Sequence, residues 1–127
     1  MQLDRNGLEI LDREECLRLL ALTSLGRVGF TSGALPSVLP VTYHLDQDRI
    51  LVHTTRGSRL DAALKDAVVA FEADELDPSE HSGWSVAVTG VATELDAGRL
   101  AISIDLISGR RCTRDVPWLS AETPATP

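Results

Sequence analysis

The sequence predicts a mainly β domain: a six-stranded antiparallel barrel, closed or partly closed, with two short helices at its edges. Three observations carry this. Short segments of alternating or continuous apolar residues recur between turn residues along most of the chain. The apolar period lengthens to that of a helix in only two places. The 127 residues fit one domain with one sizeable core.

Residues 12–22 read as the first helix. Asp12 is a good N-cap, and Glu15 follows at the capping-box spacing. Leu11 and Cys16 take the two hydrophobic-staple positions, Leu17, Leu19 and Leu20 supply an apolar side, and Gly26 falls soon after the end. The first strand is 27–32, broken by Ser32-Gly33. The second, 37–45, and the third, 49–55, form a hairpin across Asp46-Gln47-Asp48. Pro40 removes a ladder donor, which favours an edge or irregular place in the sheet. Arg56-Gly57-Ser58 then turns the chain, and Leu60, Ala63 and Leu64 fall at helical spacing behind Ser58 as N-cap, with Asp61 at the third position. Residues 67–74 return to strand. Residues 75–83 read as a polar, acidic loop. The fifth strand, 84–95, contains Gly90, where a barrel strand bends or bulges. Asp96-Ala97-Gly98 is a tight turn into the sixth strand, 99–107, with Leu100, Ile102, Ile104 and Leu106 on one side. The folded domain is expected over 1–114. The last stretch, 115–127, has three prolines and small polar residues and reads as a flexible tail.

Composition excludes several functions. Hydrophobic residues make up 43% and charged residues 24%, as in ordinary soluble proteins. No apolar run approaches the ~20 residues of a membrane-spanning helix. The polar N-terminus is not a secretory signal, and two distant cysteines, Cys16 and Cys112, call for no disulfide, so a cytoplasmic location is expected. A formal net charge of −7 argues against nucleic acid as the partner but leaves room for a local basic pocket.

The most informative stretch is 51–60. A strand ends in Thr54 and Thr55, a glycine turn follows, and a helix begins at Ser58 with Arg59 in its first turn. Threonine and serine hydroxyls donate hydrogen bonds, and an arginine offers a bidentate fork, so the arrangement suits a phosphate, with Arg56 as a further cation. The same residues also read as an ordinary strand–turn–helix junction, in which the serine only caps and the arginines are solvated. No Walker-type glycine pattern supports a nucleoside triphosphate.

Six stretches in order resemble the small bacterial branch of the pyridoxamine 5′-phosphate oxidase-like family, the FMN-binding split barrels. They are 11–16, 26–30 (Gly-Arg-Val-Gly-Phe), 39–43 (Leu-Pro-Val-Thr-Tyr), 54–60 (Thr-Thr-Arg-Gly-Ser-Arg-Leu), 70–74 and 83–90, the last a Gly-Trp-Ser start to a long strand carrying a glycine. The resemblance covers roughly residues 8–96 and implies a split β-barrel with FMN at a homodimer interface. It places the flavin phosphate on Thr54, Thr55, Ser58 and Arg59, where relatives often carry lysine at the Arg59 position. It places the isoalloxazine beside Pro40, Val41, Thr42 and Tyr43, whose backbone groups pair with its polar edge. Trp84 and Ser85 are expected near the flavin pocket or the dimer contact. The implied activity is that of a flavin-dependent oxidoreductase acting on a small organic substrate. The alternatives are a non-catalytic flavin carrier or sensor, and a deazaflavin-dependent reductase. One departure is the immediate turn at 96–98, where relatives carry a further segment that helps wall the substrate side. The chain also lacks the long C-terminal region associated with pyridoxamine phosphate oxidation itself.

Other candidates carry less. His44 and His53 flank the hairpin turn, but a metal site needs a further ligand, with His81 or Glu72 the available ones. Cys16 reads as a small core residue. Cys112 lies among Arg110, Arg111 and Arg114, which lower a thiol pKa, bind phosphate or form salt bridges across a dimer. The acidic run Glu72, Asp74, Glu75, Asp77, Glu80 lacks EF-hand spacing. Trp118 reads as a packing anchor. No Ser-His-Asp or Cys-His order is present, which fits an enzyme whose cofactor carries the chemistry.

Overall fold

The computed structural model describes residues 1–55, 57–96 and 98–113. Arg56, the middle of the 96–98 turn, Arg114, Trp118 and the expected tail lie outside the described residues. The elements are β1 (Gln2–Leu3), β2 (Glu9–Leu11), α1 (Arg13–Leu20), β3 (Leu25–Ser32), β4 (Leu35–Asp46), β5 (Arg49–His53), α2 (Arg59–Leu64), β6 (Val68–Asp77), β7 (Ser82–Asp96), β8 (Arg99–Ser103) and β9 (Leu106–Cys112). Both helices start where the sequence places them. Asp12 Oδ1 accepts the Glu15 amide at 2.9 Å, and Ser58 Oγ accepts the Asp61 amide at 3.0 Å.

Six strands close a ring in the order β3-β4-β5-β8-β7-β6, each pair antiparallel. This is the split β-barrel that the sequence predicts. Side chains alternate along each strand, and the inward set forms the core. Val28 and Phe30 come from β3, Val41 and Tyr43 from β4, Ile50 and Val52 from β5, and Val69, Phe71 and Ala73 from β6. Trp84, Val86, Val88 and Ala92 come from β7, and Leu100 and Ile102 from β8. Tyr43 meets Phe71 edge-on, with ring centroids 4.7 Å apart. Its hydroxyl donates to Leu20 O at 2.6 Å, fastening the end of α1 to the barrel. Burial pushes that phenol up to about 12, so it stays a donor at any working pH.

The structure corrects the sequence reading at three places. The expected acidic loop 75–83 is mostly strand: β6 runs to Asp77, pairing through Asp77↔Ser82, and only residues 78–81 turn. Asp77 fixes that turn by accepting the Ser79 and Glu80 amides. The expected sixth strand is two strands, β8 and β9, parted at Ile104-Asp105. The short strands β1 and β2 were not expected. Runs of two and three residues carry too little alternation to be read, and β2 exists because it pairs with the far end of the chain, Glu9↔Arg111 to Leu11↔Gly109.

The division of the last strand explains Gly90. β7 pairs with β9 from Gly83 to Thr89 and with β8 from Ala92 onward. Gly90 lies where one partner gives way to the other. It is not bulged; the register shift falls between Glu94 and Asp96. The requirement is one of space: a Cβ on Gly90 would stand 1.6 Å from the Ser103 carbonyl oxygen. Ser103 Oγ, facing back, accepts the Val91 amide at 3.0 Å.

Gly90→Ala should therefore destabilise by about 1–3 kcal/mol or more, as overpacking does, lowering Tm by at least ~5 °C. Gly29→Ala is the control. Its Cβ meets nothing closer than 3.7 Å, at Ala70 Cβ. Thermal unfolding followed by circular dichroism separates the two, and equal melting of both variants would remove the role given to Gly90.

Candidate functional site

β4 changes neighbours half-way. Residues 35–42 pair with β3, whereas pairing with β5 begins only at Thr42↔His53. Among the described residues, no strand covers the second side of 35–41. The Tyr43 amide donates to Ser24 O at 2.9 Å, on the β3 side. Alternation then turns the amides of odd-numbered β4 positions toward β3 and those of even-numbered positions away. On the open side stand Pro36, Val38 and Pro40, so two of three donors are missing there and the carbonyls remain. The irregular, edge-like position expected for Pro40 is what the fold provides.

At the same point the chain beyond β5 departs. Thr54 N donates to Gly98 O at 2.8 Å, extending the β5–β8 side rather than the β4 side. A wedge therefore opens at Thr42–His53, with the open edge of β4 on one flank and the 54–59 turn on the other. Thr42, His53, Thr55 and Arg59 are exposed around it. His44 and His53 stack with centroids 5.6 Å apart. Among the described residues, no cluster of three metal-ligating side chains forms, so this pair has no third ligand.

The turn itself is organised by a residue read from sequence only as a capping position. Asp61 is buried, its Oδ1 accepting the Thr54 hydroxyl at 3.2 Å and its Oδ2 the Gly57 amide at 3.1 Å. The Gly57 amide, followed by burial working the other way and by Lys65, holds the Asp61 carboxyl below its ordinary range. Thr54 is thus engaged within the chain. Ser58 uses its oxygen as the cap, leaving its hydroxyl proton available. Among the described residues Arg59 makes no ion pair, as is also true of Arg5 and Arg13, whereas Arg18, Arg27, Arg49, Lys65, Arg99, Arg110 and Arg111 do. An exposed, unneutralised guanidinium beside two hydroxyls, Ser58 and Thr55, fits an anionic group.

The other expected site residues divide by the pleat. Pro40 and Thr42 face outward and are exposed, whereas Val41 and Tyr43 point inward as core side chains and turn their backbone groups toward β3, not toward the open edge. Trp84 is a core side chain as well. Ser85 faces outward, its hydroxyl donating to Glu72 at 2.9 Å. Ser85 is not at the wedge of its own chain: β3 and β6 intervene between β4 and β7, about 14 Å at the usual strand spacing. Glu72 also meets Arg27 at 2.9 Å, and Arg27 meets Asp74 at 3.2 Å. Partial burial, and next the adjoining Asp74 carboxyl, raise the Glu72 pKa. Around this cluster the outer sheet face is apolar, with Leu25, Val38 and Val68 exposed.

The arginines near the end of the chain have partners inside it. Arg110 meets Asp4 at 2.8 Å, and Arg111 bridges Glu9 and Glu15, so they fasten the N-terminal segment to β9. Cys112 is buried, with its thiol 3.9 Å from the His81 carbonyl. Burial raises the Cys16 thiol, as expected of a core cysteine.

The sequence profile of the pyridoxamine 5′-phosphate oxidase family matches residues 12–113. The chain belongs to this family. A Mycobacterium smegmatis protein of known structure, described as an FAD-binding protein, is 33% identical and superposes with a TM-score of 0.76 over 82% of this chain and 97% of its own. An FAD-binding protein from Mesorhizobium loti, at 20% identity, shares the fold with a TM-score of 0.71 over 82% of this chain and 96% of its own. An uncharacterised Mycobacterium tuberculosis protein is 44% identical over 90 residues, 67% of this chain and 59% of that protein, so the chain spans less than two thirds of that relative. Among the described residues, no helix is long and apolar enough to cross a membrane.

The Glu15 cluster sets a pH dependence. Hydrogen bonds from Arg18, then Arg111, hold Glu15 at about 2 against an ordinary 4.5. A depressed carboxyl stabilises above its unfolded value and ceases to do so as pH falls from about 4.5 to about 2. Glu15→Gln should melt below the parent at pH 7, and the gap should close as pH approaches 2. A gap that stays constant across that window would show that the charge of Glu15 contributes nothing.

Proposed function

We propose that this protein binds a flavin nucleotide in the wedge between the open edge of β4 and the 54–59 turn. The observation that carries this reading is the divergence of the two flanks at Thr42–His53, one offering carbonyls at Pro36, Val38 and Pro40, the other an exposed Arg59 with no ion-pair partner among the described residues. The carbonyl edge suits a planar heterocycle with N–H donors, and Arg59 with the Ser58 and Thr55 hydroxyls suits its phosphate. When bound, a flavin supplies hydride or single-electron transfer. The chain's own part is to hold the phosphate, align the ring against β4 and exclude water from it.

FMN is the ligand of this reading, and the reaction is oxidation or reduction of a small organic substrate. FAD is a second reading, favoured by the M. smegmatis relative. The absorption spectrum and mass of the ligand that co-purifies distinguish FMN, FAD and a deazaflavin, and turnover with a reduced nicotinamide separates an enzyme from a carrier or sensor.

The reading includes a homodimer. It is supported by the apolar outer face around Arg27, Glu72 and Ser85, which a second copy covers while bringing Ser85 toward the partner's flavin. Light scattering at micromolar concentration should give twice the chain mass; a flavin-loaded monomer would contradict it.

Arg59→Ala should weaken FMN binding by about 10- to 100-fold, because a hydrogen bond to a charged group is worth about 1.5–3 kcal/mol. Riboflavin, which has no phosphate, should lose far less. Arg59→Lys should keep most of the affinity. Equal losses for FMN and riboflavin on titration would remove Arg59 from the phosphate site.

A further inference from the structure

Asp61, at 2% exposure, is the one fully buried charged side chain among the described residues. Its position is costly for the function proposed above. An acidic group beside an anion site repels the ligand, and burying a charge demands partners. The partners are specific. Thr54 Oγ1 donates to Oδ1, Gly57 N donates to Oδ2, and the Asp61 amide donates to Ser58 Oγ. Lys65 Nζ stands 3.7 Å from Oδ2 and is shared with Glu94 at 3.0 Å. Apart from Lys65, every partner belongs to the turn that leads into Arg59. That turn passes through Gly57 at φ 76°, a left-handed conformation. One carboxylate thus fastens the end of β5 and the left-handed glycine to a single point, while the backbone amide of the same residue holds the cap oxygen of Ser58.

We propose that Asp61 is a positioning residue for the phosphate grip. It touches no ligand. Its carboxylate holds Thr54 and Gly57, and so sets the course of the turn from which the Ser58 hydroxyl and Arg59 reach a phosphate together. Thr54 accordingly belongs to the support of the site rather than to its contact surface. The proposal rests on the flavin-nucleotide reading above and adds to it the residue that orders the loop before ligand arrives.

The test is titration of FMN and riboflavin into the parent, Asp61→Ala and Asp61→Asn, with hydrogen exchange at the Gly57 amide in the ligand-free proteins. Asparagine preserves the geometry: its carbonyl accepts from Gly57, and its NH2 donates to the Thr54 oxygen. Asp61→Ala should lower the ratio of FMN to riboflavin affinity by about 10-fold, ~1.4 kcal/mol, and should speed exchange at Gly57. Asp61→Asn should keep the ratio within about 3-fold of the parent. If Asp61→Ala does not fold, Asp61→Ser takes its place, since a serine hydroxyl is too short to reach Thr54 and Gly57 at once. An unchanged ratio in the alanine or serine variant, with both ligands weakened alike, would reduce Asp61 to a structural residue and overturn the proposal. So would a loss in Asp61→Asn as deep as in alanine, which would assign the effect to charge. A parent that binds riboflavin as tightly as FMN fails differently: it removes the phosphate grip itself, and the positioning role with it.

Discussion

The ring closes because β7 changes partners at Gly90. A six-stranded barrel needs its last strand to meet its first neighbours on both sides, and here that strand is divided. β8 turns in to pair with β5 and complete the ring, while β9 continues outward along β7 toward β2. Both segments leave the seam at Ser103, whose carbonyl lies against the bare Cα of Gly90. A side chain there must push the Ser103 carbonyl away, straining the point at which the two directions part. Close packing makes this a constraint on a single atom rather than on a region.

Attached to that seam are two fasteners of different chemistry. Tyr43, a barrel residue, reaches out to the last turn of α1 through its hydroxyl. Arg110 and Arg111, at the far end of the chain, reach back to Asp4, Glu9 and Glu15. The first is buried and insensitive to ordinary pH; the second is partly exposed and weakens in acid. The N-terminal segment is therefore held at one point by a buried hydrogen bond and at another by charge.

How far the sequence speaks depends on the range of the interaction. Local signals were legible: Asp12 and Ser58 as caps, the hairpin at 46–48, the alternation of β3 through β7. Pro40 was legible as an edge residue for the physical reason that operates, a missing donor. Long-range pairing was not. Nothing near residues 9–11 announces that they will meet residues 109–111, and nothing in the alternation of Ile102, Ile104 and Leu106 announces a break at Ile104-Asp105. Of the site, Arg59, Ser58 and Thr55 were recognisable by chemistry. Val41, Tyr43 and Trp84 read from sequence as flavin-side residues, but their side chains lie on the core side of the pleat. Asp61 was noticed only as a third-position acid. The signal that would have raised it is a glycine between the N-cap and a threonine-ended strand, because a left-handed turn leaves an amide that a nearby carboxylate must satisfy.

The open side of β4 has a consequence for how the molecule behaves in a crowded solution. An unpaired strand with exposed Leu35, Val38 and Leu39 is the kind of template on which foreign chains add and fibrils grow. Pro36 and Pro40 point their nitrogens at that side, so an incoming strand would find one amide, that of Val38, where it needs three. A flat ring that brings its own donors loses nothing by this, since the carbonyls are intact. The same two prolines that leave room for a small molecule thus deny the edge to another polypeptide.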